Sequence, residues 1–454
     1  MNTHASLLRP DVLPALPQSV YRARRQQLLD QLPEGALMIL PAANLATRSR
    51  DTEYPFRQSS DFWYLTGYQE PEALLVLCKG RREGEQLLFN QPKDKLMETW
   101  TGIRLGQEAA ISQLGVDQAF VLSEADQRVP LLLAEASEVW LPLEDEALYH
   151  RYLGWRQGVR RLQKRAARLP DRITDLSTLL GELRLIKQPE EIELLREAAR
   201  ISAEAHCRAM RNCRPGMYEY QLQAEIEHEF MLQGGCPPAY GSIVGAGDNA
   251  CVLHYVDNRD ALQDGDLVLI DAGAEFQGYA GDITRIFPVN GRFSLQQKQL
   301  YQLVLQANEL AISLVRPGTT LDAIHQAVVR CLVEGLVALD LLQGEVQQLI
   351  DSETYKTFFM HGTSHWLGLD VHDAGLYRQQ GQARALQPGM VFTIEPGLYI
   401  APDQMDVDSL WRGIGIRIED DVLVTEEGCE VLTQGVPKSV EGIETLMAGG
   451  DATD

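Results

Sequence analysis

Four carboxylates in the second half of the chain end segments that are predicted to be strands. Asp271 ends an apolar segment, and Asp282 follows it eleven positions later. Glu395 ends a second apolar segment, and Glu419 ends an alternating one in which Arg417 is expected on the same face. A carboxylate on an apolar strand costs free energy unless it is paired or binds a metal. A single strand-end acid such as Asp271 can equally be a turn residue, so it is the four acids together that predict a site.

Four of the nine histidines lie in glycine-containing segments near these acids: His254, His361, His365 and His372. Carboxylates converging with one imidazole form an oxygen-rich donor set that suits manganese, cobalt, iron or zinc. Four carboxylates balance the charge of two divalent ions, and two ions about 3.5–4 Å apart can hold a bridging hydroxide and polarise a carbonyl. The pattern therefore predicts a hydrolytic metal site, although His254 taken alone is better interpreted as a structural histidine.

Other catalytic motifs fit less well. His361 and His365 have metal-ligand spacing, but Gly362 stands where the zincin motif requires glutamate. Ser364 lies between histidines without the Gly-x-Ser-x-Gly turn of a serine hydrolase. The glycine pair at 245–247 lacks the third glycine of a dinucleotide-binding turn. The metal site is therefore the interpretation that these segments favour.

The elements that must position the acids are predicted by an internal repeat. Leu262–Gly273 and Leu386–Gly397 share five of twelve positions, and each runs from a turn through an apolar strand to an acid and a glycine. An Arg-Pro-Gly turn between predicted helices precedes each segment, at 214–216 and 316–318. The repeat predicts a domain of two halves, each with helices and an antiparallel sheet. Chance similarity between two buried strands is the alternative.

The first third of the chain alternates predicted helices and strands, as an α/β domain of its own would. A helix is expected at Ser19–Leu32, and Pro189 with the acids after it is expected to begin another. Short strands are expected at 36–40, 62–65, 74–77 and 86–89. The expected domains are an N-terminal α/β domain at 1–180, a catalytic domain at 181–440 and a tail at 441–454. The tail is expected to fray after Gly442.

The composition limits the possible classes of function. The 454 residues are 45% hydrophobic and 23% charged, as in a globular protein of two or three domains. A net charge of −23 argues against nucleic-acid binding. The basic segment 151–172 is interpreted as an amphipathic helix with a solvated basic face.

The apolar segments, the N-terminal residues and the cysteines of the sequence indicate a cellular location. No apolar window of about 18 residues predicts a membrane span, and residues 1–17 lack the layout of a signal peptide. Seven scattered cysteines without a Cys-x-x-Cys pair favour free thiols in a reducing cytoplasm.

Several long segments resemble the pita-bread metallopeptidases, and most closely the bacterial aminopeptidase P branch. These segments are Asp61–Gly67, Ile270–Gly273, Gly278–Arg285, Phe359–Gly362, Ser364–Asp373 and Gly413–Asp421. The resemblance extends over nearly the whole chain, from Tyr21 to Met447. It implies an α/β N-terminal domain plus an α+β pita-bread catalytic domain with internal pseudo-two-fold duplication.

The resemblance implies removal of the N-terminal residue from peptides whose second residue is proline, with two manganese ions as cofactors. The implied ligands are Asp271, Asp282, His365, Glu395 and Glu419. Asp282 and Glu419 would bridge both ions, His365 and Glu395 would complete the shell of one, and Asp271 would chelate the other. Glu395 would also act as the general base that takes a proton from the bridging water.

Further roles follow from the same resemblance. His372 would stabilise the developing oxyanion, and His254 and His361 would handle proton transfer and the substrate backbone near the proline. Arg417 and Tyr399 are candidates for substrate binding at the rim of the site, or for a place directly behind its ligands. Trp100 resembles a residue that reaches the active site of a neighbouring subunit in tetrameric relatives, with a core tryptophan as the alternative; a homo-oligomer, dimer or tetramer, is implied.

Three alternatives stand beside this hypothesis. An Xaa-Pro dipeptidase (prolidase) would share the metal site and differ in the access that it gives to longer peptides. An inactive pita-bread module that binds peptides or proteins would have lost ligands, whereas this chain retains all five. Creatinase-like hydrolysis without metal would lack the carboxylates.

Overall fold

The computed structural model describes residues 16–163 and 168–450, apart from the side chains of residues 162 and 163. These residues form two compact units that divide after Leu183. We call them the N-terminal unit and the C-terminal unit, and each is described by itself.

The N-terminal unit contains a six-stranded mixed sheet of order β6-β5-β4-β1-β7-β8 and a separate hairpin, β2-β3. Its strands are β1 Ala36–Pro41, β2 Thr47–Ser49, β3 Thr52–Glu53, β4 Leu74–Cys78, β5 Gln86–Asn90, β6 Gln118–Val121, β7 Glu138–Leu141 and β8 Arg172–Asp175. Its helices are α1 Gln18–Gln31, α2 Ser60–Thr66, α3 Lys95–Thr101, α4 Gly106–Leu114, α5 Ala125–Glu135, α6 Glu146–Gln163 and α7 Ser177–Leu185, the last of which crosses the division. Helices α5 and α6 pack against one face of the sheet around Val129, Tyr152 and Val159. The unit is α/β, as predicted.

The predicted strand at 62–65 is wrong, because this segment lies in helix α2. Four consecutive apolar residues fit a buried strand and a buried helix equally well. The signal that decides between them is Gly67, which ends the helix in a left-handed conformation with φ 63°. Its N–H donates to the Trp63 carbonyl at 2.8 Å.

The predicted basic helix at 151–172 is partly correct. Helix α6 buries Tyr152 and exposes much of its basic face, but Arg172 already begins strand β8. Pro170 lies just before that strand, where its ring disfavours a continuing helix. Residues 164–167 of the predicted helix lie outside the described residues.

The C-terminal unit contains helices and antiparallel strands. Its helices are α8 Pro189–Asn212, α9 Glu219–Gly234, α10 Leu295–Ser313, α11 Leu321–Ala338, α12 Val346–Asp351 and α13 Val440–Met447. Its strands are β9 Ile243–Ala246, β10 Leu267–Asp271, β11 Glu275–Phe276, β12 Tyr279–Ala280, β13 Thr284–Pro288, β14 Arg378–Gln379, β15 Gln382–Ala383, β16 Val391–Ile394, β17 Gly397–Ile400, β18 Ile414–Arg417, β19 Asp420–Val424 and β20 Cys429–Val431. The main sheets have the orders β13-β10-β9 and β16-β19-β20, and strands β17 and β18 form a further pair.

The predicted duplication is visible in matching hydrogen bonds of the two halves. Gly216 and Gly318, the glycines of the two Arg-Pro-Gly turns, have φ values of 88° and 90°. Each donates its N–H at 2.9 Å to the first residue of its repeat segment, Leu262 in one half and Leu386 in the other. A helix pair followed by an antiparallel sheet thus occurs twice, and it places β10 and β16 at equivalent positions.

The end of the chain is more ordered than its sequence predicts. A frayed tail after Gly442 is expected from the sequence, yet α13 continues to Met447 and buries Ile443 and Leu446. Three apolar residues at helical spacing are enough to pack this short helix, and α13 contacts α8. Residues 451–454 lie outside the described residues. None of the helices in the described part of the chain has the length and apolarity that crossing a membrane requires.

Candidate metal centre

A cavity of about 380 Å³ opens in the C-terminal unit beside the ends of strands β10, β16 and β18. One part of its wall is apolar, with Ile243, Leu253, Val256 and Val371. The rest is polar and ionisable, and comprises Tyr240, His254, Asp271, Asp282, His361, His365, His372, Glu395, Arg417 and Glu419. The structure therefore brings the four acids and four histidines of the sequence analysis into one cavity.

The first two acids meet through a strand pair. Strand β10 ends at Asp271, which pairs with Thr284 at the start of β13. Asp282 precedes Thr284 by two residues, so the chain returns it to the strand end that carries Asp271. Both carboxylates are buried, with 8% and 5% of the residue exposed. The eleven positions from Asp271 to Asp282 are taken up by a turn that contains the short strand pair β11-β12.

The two glutamates lie where a long strand pair is interrupted. The ladder between β16 and β19 ends at Ile394, and the ladder between β17 and β18 begins at Gly397, so Glu395 and Glu419 fall between them. The N–H of Glu395 donates to the Thr363 carbonyl at 2.8 Å, and the N–H of Glu419 donates to the Thr284 carbonyl at 3.1 Å. The interruption therefore connects the glutamates to the segments that carry His365 and Asp282.

His365 faces the carboxylates through one nitrogen. Its Nδ1 lies 3.1 Å from the Trp366 carbonyl, which can only accept, so Nδ1 carries a proton. Its Nε2 lies 3.4 Å from Asp282 Oδ2 and 3.6 Å from Glu395 Oε1. Ligand atoms of His365, Asp282 and Glu419 lie within 4.8 Å of one another. A neutral histidine held this way presents Nε2 to a cation.

Crowding of buried acids changes their ionisation. Burial, opposed by His365 and Arg417, raises the pKa of Glu395 to about 7. Burial and the neighbouring carboxylates raise the pKa of Asp282 and Glu419 above their usual range. Although burial opposes it, the contact with Asp282 and the charge of Glu395 raise the pKa of His365 to about 9. These shifts indicate an excess of negative charge that a bound cation would relieve.

A chain of hydrogen bonds connects Asp271 to His361. Arg417 donates to Asp271 Oδ2 at 2.6 Å and to the Tyr399 hydroxyl at 2.9 Å. The Tyr399 hydroxyl lies 2.9 Å from His361 Nε2, while His361 Nδ1 lies 2.7 Å from the Gly362 carbonyl. Since Nδ1 must donate to that carbonyl, a neutral His361 accepts the Tyr399 proton at Nε2. Burial and Arg417 lower the pKa of His361 to about 4, which keeps it neutral.

His372 lies against His365 and is held by a buried ion cluster. The two rings meet edge to face with centroids 4.3 Å apart. The next residue, Asp373, receives Lys187 Nζ at 2.8 Å on Oδ2 and Arg184 on Oδ1. Although burial opposes it, these two cations hold the pKa of the Asp373 carboxyl below its usual value. Gly368 has to be glycine here, because a Cβ would lie 2.2 Å from Asp373 Oδ2.

Comparison with known proteins assigns the chain to a family. The model of metallopeptidase family M24 matches residues 193–426, and that of the aminopeptidase P N-terminal domain matches residues 21–140. The chain belongs to metallopeptidase family M24. The match covers the whole cavity, and the predicted pita-bread catalytic domain with its N-terminal domain is confirmed.

Relatives of this M24 chain are similar over nearly their full length. Xaa-Pro aminopeptidase of Escherichia coli (strain K12) is 49% identical over 430 residues, which cover 94% of this chain and 97% of the relative. The structure of Pseudomonas aeruginosa aminopeptidase PepP superposes with a TM-score of 0.94 and 50% identity, covering 96% and 98% of the two chains. Zinc-substituted E. coli aminopeptidase P in complex with product superposes with a TM-score of 0.93 and 48% sequence identity. The superposition covers 96% of this chain and 99% of that structure.

Membership of M24 implies divalent metal ions, and the donor set of this chain fits them. The clearest sign is Tyr240, whose partly buried hydroxyl contacts both Asp271 Oδ1 and Asp282 Oδ1. A phenol has one proton to donate, so one of these two close oxygen contacts needs a further proton or a cation. Sequence reasoning missed Tyr240, because a lone tyrosine in the loop before β9 carries no spacing signal. The proline pair at 237–238 just before it marks only a loop.

The remaining two candidate site residues, His254 and Trp100, are both exposed. His254 is exposed at the mouth of the cavity, in the loop after β9. Trp100 lies in the N-terminal unit on helix α3 and is 80% exposed, so the alternative of a core tryptophan is wrong. Helix α3 also exposes Leu96, and Ile103 follows it with 88% exposed. This M24 chain therefore carries an exposed apolar patch, defined here as Leu96, Met97, Trp100 and Ile103.

Proposed function

We propose that this chain is a metallo-aminopeptidase that hydrolyses the bond between an N-terminal residue and a proline in the second position. The observation that carries the proposal is that five M24-type donor residues line one cavity: Asp271, Asp282, His365, Glu395 and Glu419. The likeness to relatives named Xaa-Pro aminopeptidase over nearly the whole chain supports the same conclusion.

We infer that two divalent ions, manganese by preference, complete the site. Asp282 and Glu419 would serve both ions, His365 and Glu395 would complete the shell of one, and Asp271 that of the other. When bound, such ions polarise a carbonyl and activate water for attack at neutral pH. Oxygen donors with a single imidazole support manganese over metals that prefer thiolate or several imidazoles.

Glu395 is proposed as the general base. A carboxylate that holds a cation through one oxygen keeps a second oxygen that can accept a proton from water. The Glu395 side chain is 18% exposed and lines the cavity, so water can reach it while most of the side chain stays buried. Glu395 Oε2 also lies 3.8 Å from His361 Nδ1, which supports a role for Glu395 in proton transfer beside that histidine.

The surrounding histidines suit a proline substrate. The nitrogen of an Xaa-Pro bond carries no hydrogen, so the enzyme must deliver a proton to a hindered leaving group. Burial, with His365 as the next cause, lowers the pKa of His372, so its neutral ring can donate an N–H to the developing oxyanion. We assign proton traffic and contacts to the substrate backbone to His254 and His361. Tyr399 and Arg417 are buried, with 2% and 3% of the residue exposed, so they are not rim residues, and we assign them the support of His361 and Asp271 instead.

Peptide hydrolysis after metal reconstitution tests this function. With manganese added to chelator-treated protein, we expect cleavage of Xaa-Pro-Yaa tripeptides to exceed cleavage of the dipeptide Gly-Pro by about tenfold or more in kcat/KM. Cleavage of the dipeptide alone would favour the prolidase alternative. Less than one divalent ion per chain, with no activity after manganese is added, would favour the inactive binding module.

A homo-oligomer, dimer or tetramer, is also proposed, with the exposed apolar patch as its contact. Large apolar side chains exposed together are typical of association surfaces. We expect the double variant Leu96→Asp, Ile103→Asp to be a monomer in light scattering at concentrations where the wild type is not. Leu295→Asp, at a leucine 67% exposed on α10, is the matched control and should keep the wild-type mass. An unchanged mass in the double variant would contradict this contact.

We further propose a cytoplasmic location. All seven cysteines are free thiols, and three of them are buried: Cys78, Cys207 and Cys236. Burial raises the pKa of the Cys78 thiol to about 12, which leaves it unreactive as a thiolate. Unpaired, scattered thiols support a reducing compartment.

A further inference from the structure

We propose that Asn308 is a positioning residue that sets the separation of Glu395 and Glu419, an inference that rests on the proposed function. Asn308 lies on helix α10 and is fully buried. Its Nδ2 donates to the Ile394 carbonyl at 3.2 Å and to the Ile418 carbonyl at 3.3 Å. These are the residues directly before the two glutamates.

The bonds matter because this part of the sheet has lost its regular ladder. Glu395 and Glu419 lie in the interruption between two strand pairs, and their N–H groups donate to Thr363 and Thr284, outside that pairing. One backbone bond, from the Ile418 N–H to the Pro396 carbonyl at 3.2 Å, crosses the interruption. The two hydrogens of the Asn308 amide add a second connection between the same two chain segments.

The amide is held in one orientation. Asn308 Oδ1 accepts from Lys438 Nζ at 2.9 Å, so the NH₂ group must face the two carbonyls. The same ammonium donates to Asp420 Oδ2 at 2.8 Å. Asp420 also pairs with Arg285, which donates to the Glu419 carbonyl at 2.6 Å. A buried network therefore fixes Asn308 from one side and the Glu419 backbone from the other.

Loss of the amide would let the two glutamate segments shift relative to each other. Groups that orient metal ligands without touching the metal typically change metal affinity by about 10–100-fold. His254 and Val371 line the cavity, whereas Asn308 is not among the residues that line it. The geometry therefore points to an effect on metal affinity and kcat rather than on KM.

The test is a chelator-competition titration with manganese on the full chain, followed by tripeptide kinetics. Asn308→Leu keeps the number and branching of the side-chain heavy atoms and removes the donors and the acceptor. We expect its manganese affinity to fall by about tenfold or more and its kcat to fall with it, with KM within about threefold of the wild type. Val304→Ala, at a buried valine one turn earlier on α10, is the control for general loosening and should keep wild-type affinity.

Wild-type affinity in Asn308→Leu would overturn the inference, as would an equal loss in Val304→Ala. If Asn308→Leu does not fold, Asn308→Ala is read by the same criteria. The titration does not depend on the peptide, so it separates this inference from the proposed function. A wild type that binds manganese and cleaves no Xaa-Pro peptide would refute the function and leave the positioning role to be judged by affinity.

Discussion

Replacing Glu395 with glutamine is expected to lower kcat/KM for an Xaa-Pro-Yaa tripeptide by about 10³-fold or more. Glutamine has the same shape but cannot accept a proton at neutral pH, and it also removes one negative donor from the centre. Two functions are therefore lost with one substitution, which is why this effect should be among the largest available in the chain. Steady-state kinetics at saturating manganese measures it, with metal content determined on the same sample.

His372→Ala is the matched control for Glu395→Gln. His372 lines the same cavity and touches His365, yet it lies outside the proposed ligand set. We expect kcat to fall by about 10²-fold, the usual cost of losing an oxyanion donor, with both ions retained in elemental analysis. Activity of Glu395→Gln within tenfold of the wild type would refute the assignment of the base. Loss of both ions from His372→Ala would make His372 a ligand.

Removal of metal is expected to abolish turnover and to make stability depend strongly on pH. In the metal-free site the pKa of Glu395 is about 7, above its ordinary 4.5, and the pKa values of Asp282 and Glu419 are also raised. The folded metal-free protein therefore holds these protons more tightly than the unfolded chain does. By linkage, the stability that Glu395 contributes is present below pH 4.5 and is lost as the pH rises through 7, and the raised pKa values of Asp282 and Glu419 act in the same direction. The pKa of His365, raised to about 9, continues the decline.

Bound metal should reverse this decline, because cations take the place of the protons and compete with them. We expect manganese in large excess to raise the melting temperature by about 5 °C or more at pH 8, and by much less at pH 5. Thermal melts with chelator or with manganese at the two pH values measure the difference. The Asp282→Asn variant should show a smaller shift at pH 8. A metal-induced shift that is equal at both pH values would contradict the assigned carboxylates.

The parts of the site that sequence predicts are those carried by repeated strands. Asp271 at the end of β10 and Glu395 just after β16 stand out because a carboxylate at the end of a buried apolar strand costs free energy unless a partner compensates its charge. Their pairing with Asp282 and Glu419 follows from antiparallel hairpins, whose alternation can be read from the residues alone.

Other parts depend on contacts that leave no local pattern. Tyr240 and Asn308 reach the centre from a loop and from a helix, and each is one polar residue among neighbours of ordinary type. Tyr240 contacts Asp271, which lies 31 positions further along the chain, and Asn308 contacts Ile394, which lies 86 positions further along. The strand prediction at 62–65 is wrong for a different reason. A short apolar segment shows no periodicity, and only the glycine after it indicates a helix.

The ion cluster behind His372 has a consequence for how the molecule can be divided. Asp373 is neutralised by Lys187 and Arg184, which belong to the first four residues after the division at Leu183. An excised fragment that starts at the obvious helix boundary, Pro189, would leave that carboxylate buried without a counter-ion, at a typical cost of about 3–5 kcal/mol. The C-terminal unit is therefore expected to fold by itself only when it keeps residues 184–188, because Arg184 and Lys187 supply the counter-ions of Asp373.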